Sequence, residues 1–346
     1  MKFRKLGKTD LDISLIGLGT MTWGLQNTQD EGFEQMDYAL TQGVNFFDTS
    51  EMYAVPPSAD TYGTTESIIG NWFASRKNRD EVILATKIAG PGLGWVRDGE
   101  NVINKKNVIA AVEGSLSRLK TDYIDLYQLH WPNRGSYHFG QIWDYAPKID
   151  NQAVEANFLD VLETMNSLVK EGKIRHIGVS NETAWGTAKW LELAEKNGLP
   201  RMASIQNEYS LMCRYFETDL GELALHEDCG LLAWSPLVRG SISGKYLNGA
   251  RPKGARLTID TRVDHRDSPQ TDAAIVAYME LAKQHSLDVC QMALAFVNEQ
   301  PFVSSTLIGA TTMEQLKNNI DSINIELSAE VKKGIKKIRR LYPAPF

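Results

Sequence analysis

The sequence predicts an α/β fold, a closed (β/α)8 TIM barrel. Three observations carry this: eight short β-branched or aromatic runs, helical apolar periods between them, and no complete fingerprint of the rival open sheet. The opening Phe3 to Ser14, with Gly7-Lys8-Thr9-Asp10 as its turn, reads as an N-terminal hairpin (residues 1–14) that can cover a barrel floor. The strand runs follow in order: Leu15 to Leu18, Val44 to Phe47, Val82 to Ala85, Tyr123 to Leu129, His176 to Val179, Ser204 to Gln206, Leu231 to Ala233, and Thr306 to Ile308. Helical faces lie between them: Val108, Val112, Leu116 and Leu119; Phe158, Leu162, Met165 and Val169; Leu316, Ile320 and Ile323. Asn181, followed by Glu182, is expected to begin the helix carrying Ala188, Leu191 and Ala194. Parallel strands need crossover helices, so eight such repeats suit a barrel. The open doubly wound sheet would show GxGxxG after its first strand. Here Gly17-Leu18-Gly19-Thr20-Met21-Thr22 puts Thr22 where the third glycine belongs.

With 346 residues, 42% hydrophobic and 23% charged, the chain is too apolar for disorder and lacks the periods of collagen or coiled coil. It reads as one barrel domain over 1–346. The stretches 90–103, 131–152 and 238–271 are too long for tight connections and are expected as loop insertions over a binding site. The net charge of −6 argues against a nucleic-acid partner. No apolar run approaches the ~18–20 residues of a membrane helix, so no membrane partner is expected. The basic start Met1 to Lys5 meets Asp10 and Asp12 before any hydrophobic stretch, unlike a signal or transit peptide. Cys213, Cys229 and Cys290 form an odd, scattered set without a CxxC pair, and the expected location is the reducing cytoplasm. Cys229 and Cys290 read as core packing.

Barrel active sites sit at the carboxyl ends of the strands. Those ends carry Asp48 after strand two, Lys87 after strand three, His130 after strand four, Asn181 after strand five, Gln206 on strand six and Trp234 after strand seven. Tyr53, five residues past Asp48, can fold back over the rim. A lone lysine or histidine at such a place is usually structural, but four titratable groups together make coherent chemistry. A phenol near pKa ~10 is a poor acid at neutral pH, and an ammonium beside it is expected to lower that value. Asp48 would hold Lys87 charged, and His130 would donate a hydrogen bond to a carbonyl oxygen. The tuned phenol of Tyr53 would then protonate that oxygen as hydride arrives at carbon.

The chain resembles the aldo-keto reductases over nearly its whole length. The motifs are Gly17 to Thr20, Phe47-Asp48-Thr49-Ser50-Glu51-Met52-Tyr53, Leu84-Ala85-Thr86-Lys87 and Asp122 to Trp131. Ile177 to Asn181, Leu232-Ala233-Trp234-Ser235-Pro236-Leu237 and Leu307 to Ala310 continue the series in the family's order. Tyr53 to Pro57 and Ser180 to Thr183 look most like the bacterial Tas-type members. The resemblance implies a tetrad of Asp48, Tyr53, Lys87 and His130, with Tyr53 as general acid. It also implies Ser180, Asn181 and Gln206 on a nicotinamide carboxamide, and Trp234 stacked on the ring. Ser235, Pro236, Leu237, Val238, Arg239 and Lys245 match the loop over the pyrophosphate. Gly309, Ala310, Thr311, Gln315, Asn318 and Asn319 match the adenosine phosphate site, and Thr20 and Met21 a first-loop contact. The start of the last helix suits a 2′-phosphate, so the implied cofactor is NADP(H). Many relatives carry a basic residue where this chain has Thr311-Thr312, and Lys317, Arg251 or Arg256 would have to supply that charge.

Other features have plainer readings. Trp23, Trp95, Trp131, Trp143 and Tyr145 sit in or near rim loops, either lining an apolar pocket or anchoring the loops. Arg262 to Asp267 lacks metal-ligand spacing and reads as a solvated loop; no metal is expected. Asn181-Glu182-Thr183 is a formal glycosylation sequon without meaning in a cytoplasmic protein. The basic run Lys332 to Arg340 reads as the outer face of a terminal helix. Two functions compete with a carbonyl reductase acting on a small-molecule carbonyl: a Schiff-base lyase using Lys87, and a cofactor-binding sensor or regulatory subunit with little turnover.

Overall fold

The computed structural model describes residues 1–260 and 266–346. The hairpin pairs β1 (Phe3–Lys5) with β2 (Asp12–Ser14) in antiparallel register. Eight strands then form the barrel: β3 (Ile16–Gly19), β4 (Phe46–Asp48), β5 (Ile83–Ile88), β6 (Ile124–Leu129), β7 (Ile174–Ser180), β8 (Met202–Glu208), β9 (Gly230–Trp234) and β10 (Val303–Ile308). They are parallel throughout, and β10 closes on β3. The expected fold class is the observed one.

Side chains alternate between the barrel interior and the helix layer, as the strand period of two requires. Phe46, Ala85, Leu126, Leu232 and Leu307 point inward and pack with Leu6, Leu11 and Ile13 of the hairpin, which plugs the floor. Their neighbours Phe47, Leu84, Tyr127, Leu231 and Ile308 point outward into the main core against the helices. The hairpin turn approaches β8 closely: a Cβ on Gly7, at φ +55°, would fall 2.4 Å from the Ala203 carbonyl oxygen.

The same alternation sets the upper layer. Two residues beyond Phe46, Ala85 and Leu126 come Asp48, Lys87 and Gln128. The register pairs Asp48 with Ala85 and Lys87 with Gln128, which sets these strand ends at neighbouring levels.

The helical periods become Lys105–Leu119, Asn151–Lys170 and Met313–Asp321, with Val108, Val112, Leu116, Leu119, Phe158, Leu162, Met165, Leu316 and Ile320 buried. Ile323 falls instead in the following 3-10 turn, Ser322–Asn324. Lys332 to Arg340 lies on the terminal helix Ala329–Leu341, whose buried residues are Val331, Ile335 and Ile338.

Several expectations move. The helix expected at Asn181 is Ala184–Asn197, capped by Thr183, whose side chain accepts from the Gly186 N–H. The long stretches hold more order than plain loops. Residues 90–103 contain a 3-10 turn at Arg97–Gly99, and the helix Asn151–Lys170 begins inside 131–152. Residues 238–271 contain 3-10 segments at Val238–Ser243 and Leu247–Gly249, a short helix Arg256–Ile259, and the start of the helix Pro269–Gln284.

Trp23 is fully buried in the core and donates to Gln35 Oε1 at 3.0 Å, so it is no rim residue. Arg262 to His265 lie outside the described residues. Arg266 is buried and paired with Glu208, which departs from a solvated loop. Among the described residues no helix is long and apolar enough to cross a membrane, and no cluster of His, Cys, Asp or Glu could hold a metal ion.

Candidate active site

At the carboxyl ends of the strands lies a cavity of about 450 Å³. Asp48, Tyr53 and His130 line it, while Lys87 sits fully buried directly beneath. The Lys87 ammonium donates to Asp48 Oδ2 at 2.6 Å and to the Thr49 carbonyl at 2.7 Å. Asp48 Oδ1 accepts from Gln206 Nε2 at 2.8 Å and from Gln128 Nε2 at 3.2 Å. This buried carboxylate is therefore saturated by one cation and two amides, which a charge at this depth requires. Lys87 Nζ is 5.2 Å from the Tyr53 ring centroid, and the Tyr53 and His130 rings meet edge to face at 5.9 Å.

Burial alone would lower the Lys87 pKa. The Asp48 charge, then the Tyr53 contact, outweigh it and hold the pKa above its ordinary value. Lys87 is a fixed cation. His130 is held well below its ordinary range, first by burial and then by the Lys87 charge, so the imidazole is neutral. Tyr53 departs from the expected lowering. Lys87 does pull its pKa down, but burial pushes it up by more and Asp48 adds to that, leaving the phenol above its ordinary value. The proton stays on Tyr53 across neutral pH.

Of the remaining expected residues, Thr20, Met21, Ser180, Asn181, Gln206, Trp234, Ser235, Pro236, Leu237, Arg239, Lys245, Gly309, Ala310, Thr311, Gln315, Asn318 and Asn319 all line the cavity. Val238 does not; its side chain is buried in the main core. Gln206 differs in detail, because its NH2 is already committed to Asp48 and to Gln128 Oε1. Its carbonyl is what it has left to offer a ligand.

The cavity also contains groups suited to a nicotinamide cofactor. Asn181 Nδ2 donates to the His130 carbonyl at 2.9 Å and to Ser180 Oγ at 3.1 Å, while its buried Oδ1 has no partner among the described residues. Trp234 Nε1 is likewise buried and unpartnered. An orphan acceptor and an orphan indole donor in the lining of one cavity are polar atoms that a ligand can satisfy. Ser235, Val238 and Arg239 adopt left-handed conformations at φ 52°, 53° and 55°, unusual for non-glycine residues and most of all for a β-branched one. Such strain concentrates at ligand clamps.

Of the three proposed cations, Arg256 alone lines the cavity, donating to Met21 Sδ at 3.4 Å. Arg251 pairs with Asp267, and Lys317 lies over the Tyr38 ring outside the cavity. Cys290, expected as core packing, is half-buried and lines the cavity; burial, then Asp288, pushes its thiol up to about 12.

The loop aromatics divide in their roles. Trp131 packs at 4.9 Å on His130 and, with Phe139, walls the cavity, whereas Trp143 is exposed and Trp95 packs against Tyr62. Phe139, Gln26, Met52 and Val55 also line the cavity, though none of them was expected as a site residue. Gln26 Nε2 donates to the Gly254 carbonyl at 3.1 Å, so the first and seventh loops meet there. No local pattern encodes that pairing across 228 residues.

Together the parallel barrel and this cluster of half-buried Tyr53 with buried Lys87, Asp48 and His130 fit a barrel oxidoreductase. The comparisons with known proteins agree. The model of the Aldo/keto reductase family matches residues 15–340, and the chain belongs to that family. It is 46% identical over 354 aligned residues to Protein tas of Escherichia coli, covering all of both chains. It is 32% identical to the uncharacterized oxidoreductase YrpG of Bacillus subtilis, covering all of this chain and 97% of that one. It is 30% identical to the norsolorinic acid reductase stcV of Emericella nidulans, across 92% of this chain and 76% of the relative. Members of the family are oxidoreductases that use nicotinamide cofactors and act on small-molecule carbonyls.

Proposed function

We propose that the protein is an NADP(H)-dependent aldo-keto reductase that reduces an aldehyde or ketone to an alcohol, with Tyr53 as general acid. The observation that carries this is the buried Lys87–Asp48 pair set beneath Tyr53 and His130 at the cavity floor. The cofactor, when bound, supplies hydride to the carbonyl carbon. Tyr53 gives its proton to the carbonyl oxygen, and its raised pKa keeps that proton available until the oxygen becomes basic. As the proton leaves, the Lys87 ammonium stabilises the phenolate, while Asp48, braced by Gln128 and Gln206, holds Lys87 in place. Neutral His130 orients the carbonyl oxygen as a hydrogen-bond donor. Asn181 and Trp234 would hold the carboxamide and the ring. Arg239 and Lys245 would face the pyrophosphate that both cofactors share, while Arg256, the one proposed 2′-phosphate cation that lines the cavity, supports NADP over NAD.

A Schiff-base lyase would need a neutral lysine open to substrate. Lys87 is charged, paired and beneath the cavity. The free cysteines Cys213, Cys229 and Cys290 support a reducing, cytoplasmic location. Single-turnover reduction of an aldehyde panel tests the reading. Tyr53→Phe should retain NADPH binding and lose roughly two to four orders of magnitude in rate. Wild-type rates in that variant would remove Tyr53 from the mechanism.

A further inference from the structure

Ser50 lies between Asp48 and Tyr53 and is fully buried. Its Oγ is 3.0 Å from His130 Nδ1 and accepts from the Met52 N–H at 3.4 Å. An amide N–H can only donate, so the Ser50 hydroxyl must send its own proton elsewhere. Among the described residues the acceptor within reach is His130 Nδ1. We infer that Ser50 is a positioning residue that sets the tautomer of His130, donating to Nδ1 and so leaving the ring proton on Nε2. The backbone of that residue is fixed as well: the His130 N–H donates to the Ile88 carbonyl at 3.0 Å, and its carbonyl accepts from Asn181. With Nδ1 occupied, Nε2 is the ring nitrogen left for the cavity that His130 lines. A protonated Nε2 can donate to a carbonyl oxygen, and the opposite tautomer could only accept. The low pKa of the buried ring is consistent, since an imidazolium would carry protons on both nitrogens.

The tautomer follows from geometry alone, while its effect on turnover rests on the reductase reading. The test is long-range proton–nitrogen correlation NMR on the uniformly 15N-labelled full chain with NADP+ bound. The chain has 6 histidines, so His130→Gln identifies the relevant signals. The wild type should show a protonated Nε2 and an accepting Nδ1. Ser50→Ala should move those signals toward mixed tautomers. It should also lower kcat about tenfold, the scale of one hydrogen bond, with NADPH affinity unchanged. A protonated Nδ1 in the wild type would overturn the inference. Unchanged imidazole signals, or unchanged kcat, in a folded Ser50→Ala protein would do so equally. Full turnover by Tyr53→Phe would sink the reductase reading and leave the NMR result standing.

Discussion

Lys87→Met tests the floor of the site most severely. The substitution keeps the stem of the side chain and removes an ammonium that has no solvent exposure and donates to Asp48 and Thr49. Asp48 is left as a buried carboxylate with two amide donors and no counter-charge. Breaking a buried pair in this way costs about 3–5 kcal/mol. An unfolding entropy of about 2.1 cal/mol/K per residue over this chain gives a fall in Tm of roughly 4–7 °C. The two retained amide bonds favour the lower end. Because the Lys87 pKa is raised in the folded state, its contribution is complete below about pH 10.4 and is lost as pH rises through the folded value. The gap in Tm between wild type and variant should therefore stay constant across neutral pH and narrow only in alkali. Turnover should fall roughly as far as in Tyr53→Phe, because the departing proton would leave an uncompensated phenolate. NADPH affinity should survive, since Lys87 does not line the cavity. Calorimetry and single-turnover kinetics read all of this. An unchanged Tm together with near-wild-type turnover would refute the reasoning.

Three further outcomes follow from the same geometry. With the Tyr53 pKa raised and that of His130 depressed, neither group titrates in the neutral range, so the single-turnover reduction rate should be flat between about pH 6.5 and 10; an inflection near 6.5 that vanishes in a His130 variant would contradict this. Arg256→Ala should weaken NADPH about tenfold to hundredfold at low salt and leave NADH nearly unchanged, with the difference shrinking as salt rises; equal losses for both cofactors by titration calorimetry would move the 2′-phosphate elsewhere. Trp234→Ala should cost about 0.5–1.5 kcal/mol of cofactor affinity beyond area burial and remove part of any NADPH-induced fluorescence quench, and retention of both would place the ring away from the indole.

The barrel was legible because its strands are buried on both faces and carry β-branched and aromatic residues, even where polar ones such as Asp125, Gln128, Ser304 and Ser305 interrupt them. Ile124–Leu129 and Val303–Ile308 are buried at every position. Helix starts were less so. Asn181 looks like a cap in isolation, but it adopts φ 53° and spends its amide on the His130 carbonyl, so capping passes to Thr183. Trp23 looked like a rim aromatic because nothing local reveals its bond to Gln35 or its place in the core. Turns within 238–271 depend on what the segment lies against, as the contact of Gly254 with Gln26 illustrates.

The cluster around Asp48 was readable for a reason the fold makes explicit. Strand parity and register determine where a residue two steps past an inward one must point, so Asp48 and Lys87 converge without help from any loop. Tyr53 is different. The sequence shows a lysine that can approach it and so implies a lowered pKa, but desolvation is a sum over every atom packed around the ring and has no sequence motif. The structure reverses the sign. The reversal strengthens the chemistry it was meant to explain. A phenol already half-ionised at neutral pH would have less proton to give, whereas a desolvated phenol beside a fixed ammonium holds its proton and still has a cation waiting for the charge left behind.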